Sequence, residues 1–172
     1  MAGAVEFDIE IRPGQSLEAA FAAAPEIVAE ELTATTYEAE LLVQREVQEG
    51  TPVGVGAGGG LRGSIGARPP EVRGVNIVGR VSTAAKHAIP VELGTRPHFP
   101  PVEPLIDWVV AKLGIVAPEA QQVAWRIALK ISRKGTEGAH MFERGLDATR
   151  DQVLRMYEEC LVRIGARLGG AR

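Results

Sequence analysis

The sequence is poor in cysteine, in aromatic residues and in long apolar runs, and each shortage excludes a class of protein. The single cysteine, Cys160, excludes an intrachain disulfide framework. No apolar run reaches the roughly 20 residues that a membrane-spanning helix needs, so we expect no membrane partner. Because aromatic residues make up only 5% of the chain, the core must consist mostly of Val, Leu, Ile and Ala. The expected class is a soluble protein of a reducing compartment.

An overall excess of positive charge is also lacking, because the formal net charge is −3, and this gives no general argument for nucleic-acid binding. The charges are unevenly distributed. Residues 1–50 contain eleven Asp/Glu and two Arg, whereas residues 51–172 contain eleven Asp/Glu and seventeen Lys/Arg. This pattern is consistent with a solvated acidic helix, or with a protein that has one acidic and one basic face. Two unlike faces would allow copies to associate head to tail around a ring.

Hydrophobic periodicity predicts an α+β fold, in which a small antiparallel sheet packs against several long helices within a single domain, residues 1–172. Alternating apolar residues predict strands at 4–12 and 71–83. Residues 50–70 show little periodicity and many glycines, and we expect a long, mobile Gly-rich loop there. Apolar residues at helical spacing predict helices at 17–23, 25–50, 102–114, 118–134 and 141–168.

No combination of catalytic residues emerges from the sequence. The Gly-rich run ends in Gly60-Leu61-Arg62, without the Lys-Ser/Thr that a phosphate-binding loop requires. Ser64 lacks the first glycine of a nucleophile elbow. The spacing of the three histidines matches no metal-ligand pattern: His87, His98 and His140. We therefore expect no enzyme activity, no metal site and no cofactor.

Residues 91–101, VELGTRPHFPP, are predicted to form a stiff connection. Gly94 allows a positive φ angle, and the proline after Arg96 biases that residue towards extended geometry. Two further prolines favour a polyproline-like segment. Because a preorganised segment loses little entropy on docking, Phe99 is a candidate anchor in a neighbouring subunit. The alternative is that Phe99 packs into the core of its own chain.

A group of basic residues lies in the helix predicted at 118–134: Arg126, Lys130, Arg133 and Lys134. Three interpretations of this group remain open. The first is a solvated helix end, where the helix dipole favours cations. The second is a contact with an acidic neighbouring subunit. The third is a contact with phosphates, which makes a nucleic-acid-binding regulatory module that uses residues 126–134 the alternative function.

Three short segments resemble, in the same order, motifs of a family of tailed-bacteriophage neck and tail-completion proteins, often labelled minor tail components. TPVGVGAGGGLRGSI at 51–65 resembles the family's "TPV…TG…LR.SI" segment. VELGTRPHFPP resembles its "V-E-(aromatic)-G-T-…-P-P" segment, although Leu93 stands where the aromatic residue is expected. MFERGLDATRDQV at 141–153 resembles its closing helix. The resemblance spans roughly residues 25–160.

This resemblance implies a structural virion protein, assembled in the host cytoplasm, that forms a ring at the head–tail junction. It would be a neck component or a tail-completion or tail-terminator component. The implied partners are further copies in six-fold or twelve-fold symmetry, other neck, connector or tail-tube proteins, and DNA near the lumen. The resemblance also implies that residues 102–140 are a longer helical insert and that a neighbour orders the Gly-rich loop. The candidate subunit-interface residues are Leu61, Arg62, Ile65, Gly94, Thr95, Arg96, Phe99, Arg126, Lys130, Arg133 and Lys134.

Overall fold

The computed structural model describes residues 25–54, 60–74 and 76–170, so the strand predicted at 4–12 and the helix predicted at 17–23 lie outside the described residues. Six helices and two small antiparallel sheets confirm the α+β class. Within the described ranges, no helix has the combination of length and apolarity that crossing a membrane requires.

The elements follow one another with long helices at both ends of the described chain. The helices predicted at 25–50, 102–114, 118–134 and 141–168 are confirmed to within two residues. Strands β1 and β2 form one antiparallel sheet, and β3 and β4 form the other. In chain order the elements are α1 (Pro25–Gly50), α2 (Gly60–Ser64), β1 (Ile65–Arg73), β2 (Asn76–Thr83), α3 (Ala88–Leu93), β3 (Gly94–Thr95), α4 (Glu103–Leu113), α5 (Glu119–Lys134), β4 (Thr136–Glu137) and α6 (Met141–Gly170).

Helices α1 and α6 pack antiparallel and enclose most of the main core. The end of α1 lies beside the start of α6, where Thr51 Oγ1 is 3.2 Å from Met141 Sδ. Near its other end, Glu31 Oε2 of α1 is 3.0 Å from Arg163 Nε of α6. Full burial of one large apolar side chain contributes about 1.5–3 kcal/mol. The largest fully buried apolar side chains of this core are Phe142, Met141, Ile164, Val28 and Val47.

The Gly-rich loop predicted at 50–70 is too long, because its second half forms α2 and the first part of β1. Residues 55–59 lie outside the described residues. The prediction of one strand at 71–83 is also wrong, because this range contains the end of one strand and the whole of the next. The two strands, β1 and β2, form a hairpin and pair from Ile65 opposite Thr83 to Arg73 opposite Asn76.

Contacts with α1 explain why this segment is ordered despite its lack of periodicity. Gln48 Nε2 donates a hydrogen bond to the carbonyl oxygen of Ile65 at 2.9 Å. The backbone N–H of Ala67 donates to Gln44 Oε1 at 2.7 Å. Leu61 and Ile65 are buried in the main core. Contacts within the same chain therefore hold residues 61–67 against α1 and the main core.

A buried carboxyl group lies between α1 and β2. Glu40 is only 2% exposed, and the backbone N–H of Arg80 donates to its Oε1 at 2.5 Å. Among the described residues, Glu40 Oε2 has no hydrogen-bond partner. Burial raises the pKa of Glu40 to about 7, and the bond from Arg80 only partly opposes this rise. Above this pKa, the fold therefore holds a buried charge with incomplete compensation.

Replacement of Glu40 by Gln should make the free energy of unfolding less dependent on pH. The folded carboxyl keeps its proton up to a pKa of about 7, whereas the unfolded carboxyl loses its proton near 4.5. The wild-type stability therefore falls as the pH rises between these values, and it stays reduced above them. We expect Glu40→Gln to be more stable than wild type by about 1–2 kcal/mol at about pH 8, and nearly equal to it at about pH 4.5.

Urea denaturation followed by circular dichroism at several pH values measures this effect. Glu38→Gln removes one exposed carboxylate from the same helix and is the matched control for net charge. An equal difference between Glu40→Gln and wild type at every pH would contradict the prediction.

Candidate interaction surface

Residues 96–135 form a helical arm that leaves the body of the molecule between β3 and β4. In this arm, α4 and α5 pack on each other around Val109, Ala120 and Ala124, a cluster separate from the main core. The only two tryptophans of the chain, Trp108 and Trp125, lie in this arm and are 38% and 47% exposed. The two helices predicted within residues 102–140 are present, and several of their large apolar side chains are exposed.

The inward face of α5 combines large and small apolar residues. Val123 and Ile127 are half-buried and pack against the arm core. The fully buried positions are alanines, of which Ala120 and Ala124 pack in the arm core. Small side chains at the contact allow two helices to approach closely, whereas the larger side chains flank the contact.

A four-residue sheet closes the base of the arm. In this sheet, Gly94 pairs with Glu137 and Thr95 pairs with Thr136. The two threonine Oγ1 atoms are 3.0 Å apart, and the backbone N–H of Thr136 donates to Thr95 Oγ1 at 3.2 Å. The entry and exit of the arm are thus hydrogen-bonded to each other across about 40 residues of sequence.

Two glycines make this close approach possible. Gly94 and Gly135 have φ angles of 78° and 72°, so the predicted positive φ at Gly94 is confirmed. A Cβ atom at Gly94 would overlap the carbonyl oxygen of Thr136, and one at Gly135 would overlap that of Thr95. Each glycine is therefore required both by its backbone angle and by the opposite chain.

Glu92, immediately before the arm, binds the N-terminus of α6. Its side chain is 4% exposed, and its carboxylate accepts hydrogen bonds from the backbone N–H of Phe142, at 3.2 Å, and of Glu143, at 3.4 Å. Amides at a helix N-terminus lack partners within the helix, and a carboxylate there is also favoured by the helix dipole. This role of Glu92 was not predicted from the sequence. The available signal was an acidic residue inside the short apolar run Val91–Leu93.

The start of α6 brings together the three segments that carry the family resemblance. Thr51 Oγ1, in the first segment, lies 3.2 Å from Met141 Sδ in the third. Glu92, in the second, accepts from the amide of Phe142 in the third. Met141 and Phe142 have no exposed surface. Thr51, Glu92 and Phe142, which are 41 or more positions apart in sequence, thus meet at one junction.

The basic residues of α5 all lie on the surface of the arm. Arg126, Lys130, Arg133 and Lys134 are exposed, and together with Leu129 they line a shallow groove of about 270 Å³. Within the described part of the chain, none of the four forms an ion pair. Their charges are therefore available to a partner that carries negative charge.

The other candidate interface residues differ in how much surface they offer. Leu61 and Ile65 are buried in the main core and leave almost no side-chain surface for a neighbour. Arg62 donates to the carbonyl oxygens of Gln48 and Glu49 and so binds the C-terminal end of α1. Phe99 is 50% exposed and lies against Trp125, with ring centroids 5.4 Å apart.

Phe99 therefore contacts its own chain through Trp125 without being buried in a core, and half of the side chain faces solvent on the arm. Arg96 is exposed at the entry to the arm, whereas Gly94 and Thr95 are half-buried in β3. The structure thus brings Phe99, Arg96 and the basic residues of α5 onto one arm. The prediction that they contact a neighbouring subunit stays a prediction.

Comparisons with protein-family models, with curated proteins and with solved structures found no match to this chain. Among the residues that the structure describes, no group of three or more His, Cys, Asp or Glu side chains is arranged to hold a metal ion. The candidate site is therefore an interaction surface, formed by the helical arm and its base.

Replacement of Glu92 by Ala should destabilise the fold by about 2–3 kcal/mol, because buried amides at the start of α6 lose a charged acceptor. Glu92→Gln retains one acceptor oxygen and should cost about 1 kcal/mol. Urea denaturation followed by circular dichroism measures both values. Glu137→Ala, at an exposed position of β4, is the control. Equal stability of Glu92→Ala and Glu137→Ala would show that the contact with α6 contributes nothing.

Replacement of Gly135 by Ala should cost more than about 3 kcal/mol, because it combines a disfavoured backbone angle with a clash against Thr95. Gly114 is the matched control, since its φ angle is 67° but an added Cβ would meet no atom within 4 Å. We expect Gly114→Ala to cost only about 1 kcal/mol. Tryptophan fluorescence reports on the arm and circular dichroism on the whole chain. Similar losses in both variants would contradict a steric role of the base.

Proposed function

We propose that this chain is a structural protein of a tailed bacteriophage that forms a ring at the head–tail junction. It would act as a neck component or as a tail-completion or tail-terminator component. The observation that carries the proposal is the meeting of the three family-like segments at the start of α6, through Thr51, Glu92 and the residues Met141 and Phe142. Short motifs that match by chance have no reason to share one buried junction.

The surface of the helical arm supports the same proposal. An isolated globular protein covers most of its large apolar side chains, and groups of exposed ones mark interaction sites. On and beside α4 and α5, the exposed apolar residues are Phe99, Trp108, Val110, Leu113, Val116, Trp125 and Leu129. A ring in which each arm contacts a neighbouring subunit would cover this surface.

A second candidate function is nucleic-acid binding through the basic residues of α5. The observation that favours it is the group of four exposed cations without ion pairs in the described chain, along about two turns of one helix. Phosphate contacts release counterions, so the affinity for duplex DNA would fall steeply with salt concentration. Absence of duplex binding at low salt would remove this candidate.

Deletion of this reading frame from the phage genome that encodes it should leave filled heads and completed tails that do not join. The physical reason is that the proposed ring supplies the contact surface between the two structures. Negative-stain electron microscopy of the lysate measures the fraction of joined particles. Expression of the wild-type chain from a plasmid should restore joining, which controls for effects on neighbouring genes.

Two results would contradict the proposal. One is a normal yield of infectious, tailed particles after the deletion. The other is absence of the chain from purified wild-type particles by mass spectrometry, since a component of the junction stays in the virion.

A further inference from the structure

The outward face of α5 combines positive charge with one exposed apolar residue. Arg126, Leu129 and Arg133 follow the spacing i, i+3 and i+7, which places them on the same side of a helix. Leu129 is 44% exposed, and Lys130 lines the same groove. This face is directed away from the arm core, which lies against Ala120 and Ala124 on the opposite side.

The outward face of α6 has the complementary character. Asp151, Leu154, Glu158 and Leu161 follow the spacing i, i+3, i+7 and i+10, again on one side of a helix. Leu154 and Leu161 are 57% and 44% exposed, and both carboxylates are exposed. Neither Asp151 nor Glu158 forms an ion pair within the described ranges. Acidic and apolar residues therefore alternate along about three turns of α6.

The carboxylates of α6 are better candidates to bind the basic face of α5 than those at the start of α1, because ion pairs within the chain neutralise the latter. From the charge distribution, α1 would be the expected acidic face, because residues 1–50 contain eleven Asp/Glu and only two Arg. In the structure, however, Arg167 binds Glu30 and Glu31, and Arg163 also binds Glu31. These two carboxylates are thus already neutralised by α6. The unpaired carboxylates on the opposite side of α6 remain available.

We propose that the outward face of α5 docks along the outward face of α6 of a second copy of this chain, with Arg126 and Arg133 against Asp151 and Glu158. The leucines of both faces would pack between the charge pairs. Opposite charges along two helices fix which partner is chosen and in which register. The inference rests on the proposed function, because it names the contact by which the ring would form.

The two faces belong to different elements of the chain, so each copy offers one basic and one acidic face at once. Such a contact is head to tail, and repetition of it produces a closed ring or an open filament. A two-fold symmetric dimer would need one self-complementary face instead. The proposal therefore predicts assemblies with more than two copies.

Paired charge reversals test this contact. The first variant, Arg126→Glu/Arg133→Glu, makes both faces acidic, and the second, Asp151→Arg/Glu158→Arg, makes both faces basic. Each variant alone should self-associate at least about tenfold more weakly than wild type at low salt, because like charges meet across the interface. An equimolar mixture should assemble again, with the two variants alternating, so that closed rings contain an even number of copies.

Light scattering coupled to size-exclusion chromatography measures the assembly, and native mass spectrometry counts the copies of each variant. Trp125 lies one turn before Leu129 and is 47% exposed, so its emission should shift to shorter wavelength when the contact forms. Lys112→Glu on α4 and Glu49→Arg on α1 are matched charge reversals at exposed positions outside the two faces. These controls should assemble like wild type, and circular dichroism verifies that all variants fold.

The outcomes separate this inference from the proposed function. If wild type forms rings and both paired variants form them equally well, the α5–α6 contact is wrong and the ring proposal stands. If mixing restores assembly but the chain is absent from phage particles, the contact is right and the function is wrong. If wild type remains monomeric at all concentrations, both the α5–α6 contact and the ring proposal are overturned. Loss of binding to a 30-base-pair DNA duplex in the first variant, with self-association unchanged, would overturn it in favour of nucleic acid.

Discussion

The start of α6 is the point on which the rest of the described structure depends. Met141 and Phe142 have no exposed surface and belong to the main core formed by α1, the β1–β2 hairpin and α6. Met141 contacts Thr51, which follows the end of α1, and the amide of Phe142 donates to Glu92 in the segment that precedes the arm. Because the amides at a helix start need acceptors, the requirement of α6 for Glu92 also determines where the chain enters the arm.

The base of the arm fixes where the arm leaves the body of the molecule, because β3 at its entry pairs with β4 at its exit. Gly94 and Gly135 allow the entry and exit strands to come into contact, and the arm beyond them has its own small core. That core is lined by alanines and is too small to cover the larger apolar side chains of α4 and α5. The arm is therefore positioned by the body but is not covered by it.

The sequence predicted the elements whose signals are local. The long helices α1 and α6 follow from apolar residues repeated over six turns or more, and α5 ends at Gly135 as its composition indicates. Strand β1 was missed because it contains Pro69-Pro70 and follows many glycines, which normally indicate a loop. The hydrogen bonds of Gln44 and Gln48 with this strand order it, and polar side chains on a helix give no periodic signal for such contacts.

The candidate site was predicted in part. The basic residues of α5 and the exposed Phe99 were named from the sequence, whereas the buried positions of Leu61 and Ile65 were not recognised. By itself, the amino-acid sequence determined the fold class, the long helices and the basic face of α5, because helical periodicity and charge depend on neighbouring residues. Only the tertiary structure decided that Glu92 binds α6, that Glu30 and Glu31 are neutralised by Arg163 and Arg167, and that the arm is closed at its base. These contacts join residues from 41 to 137 positions apart, and a pattern within one segment carries no information about them.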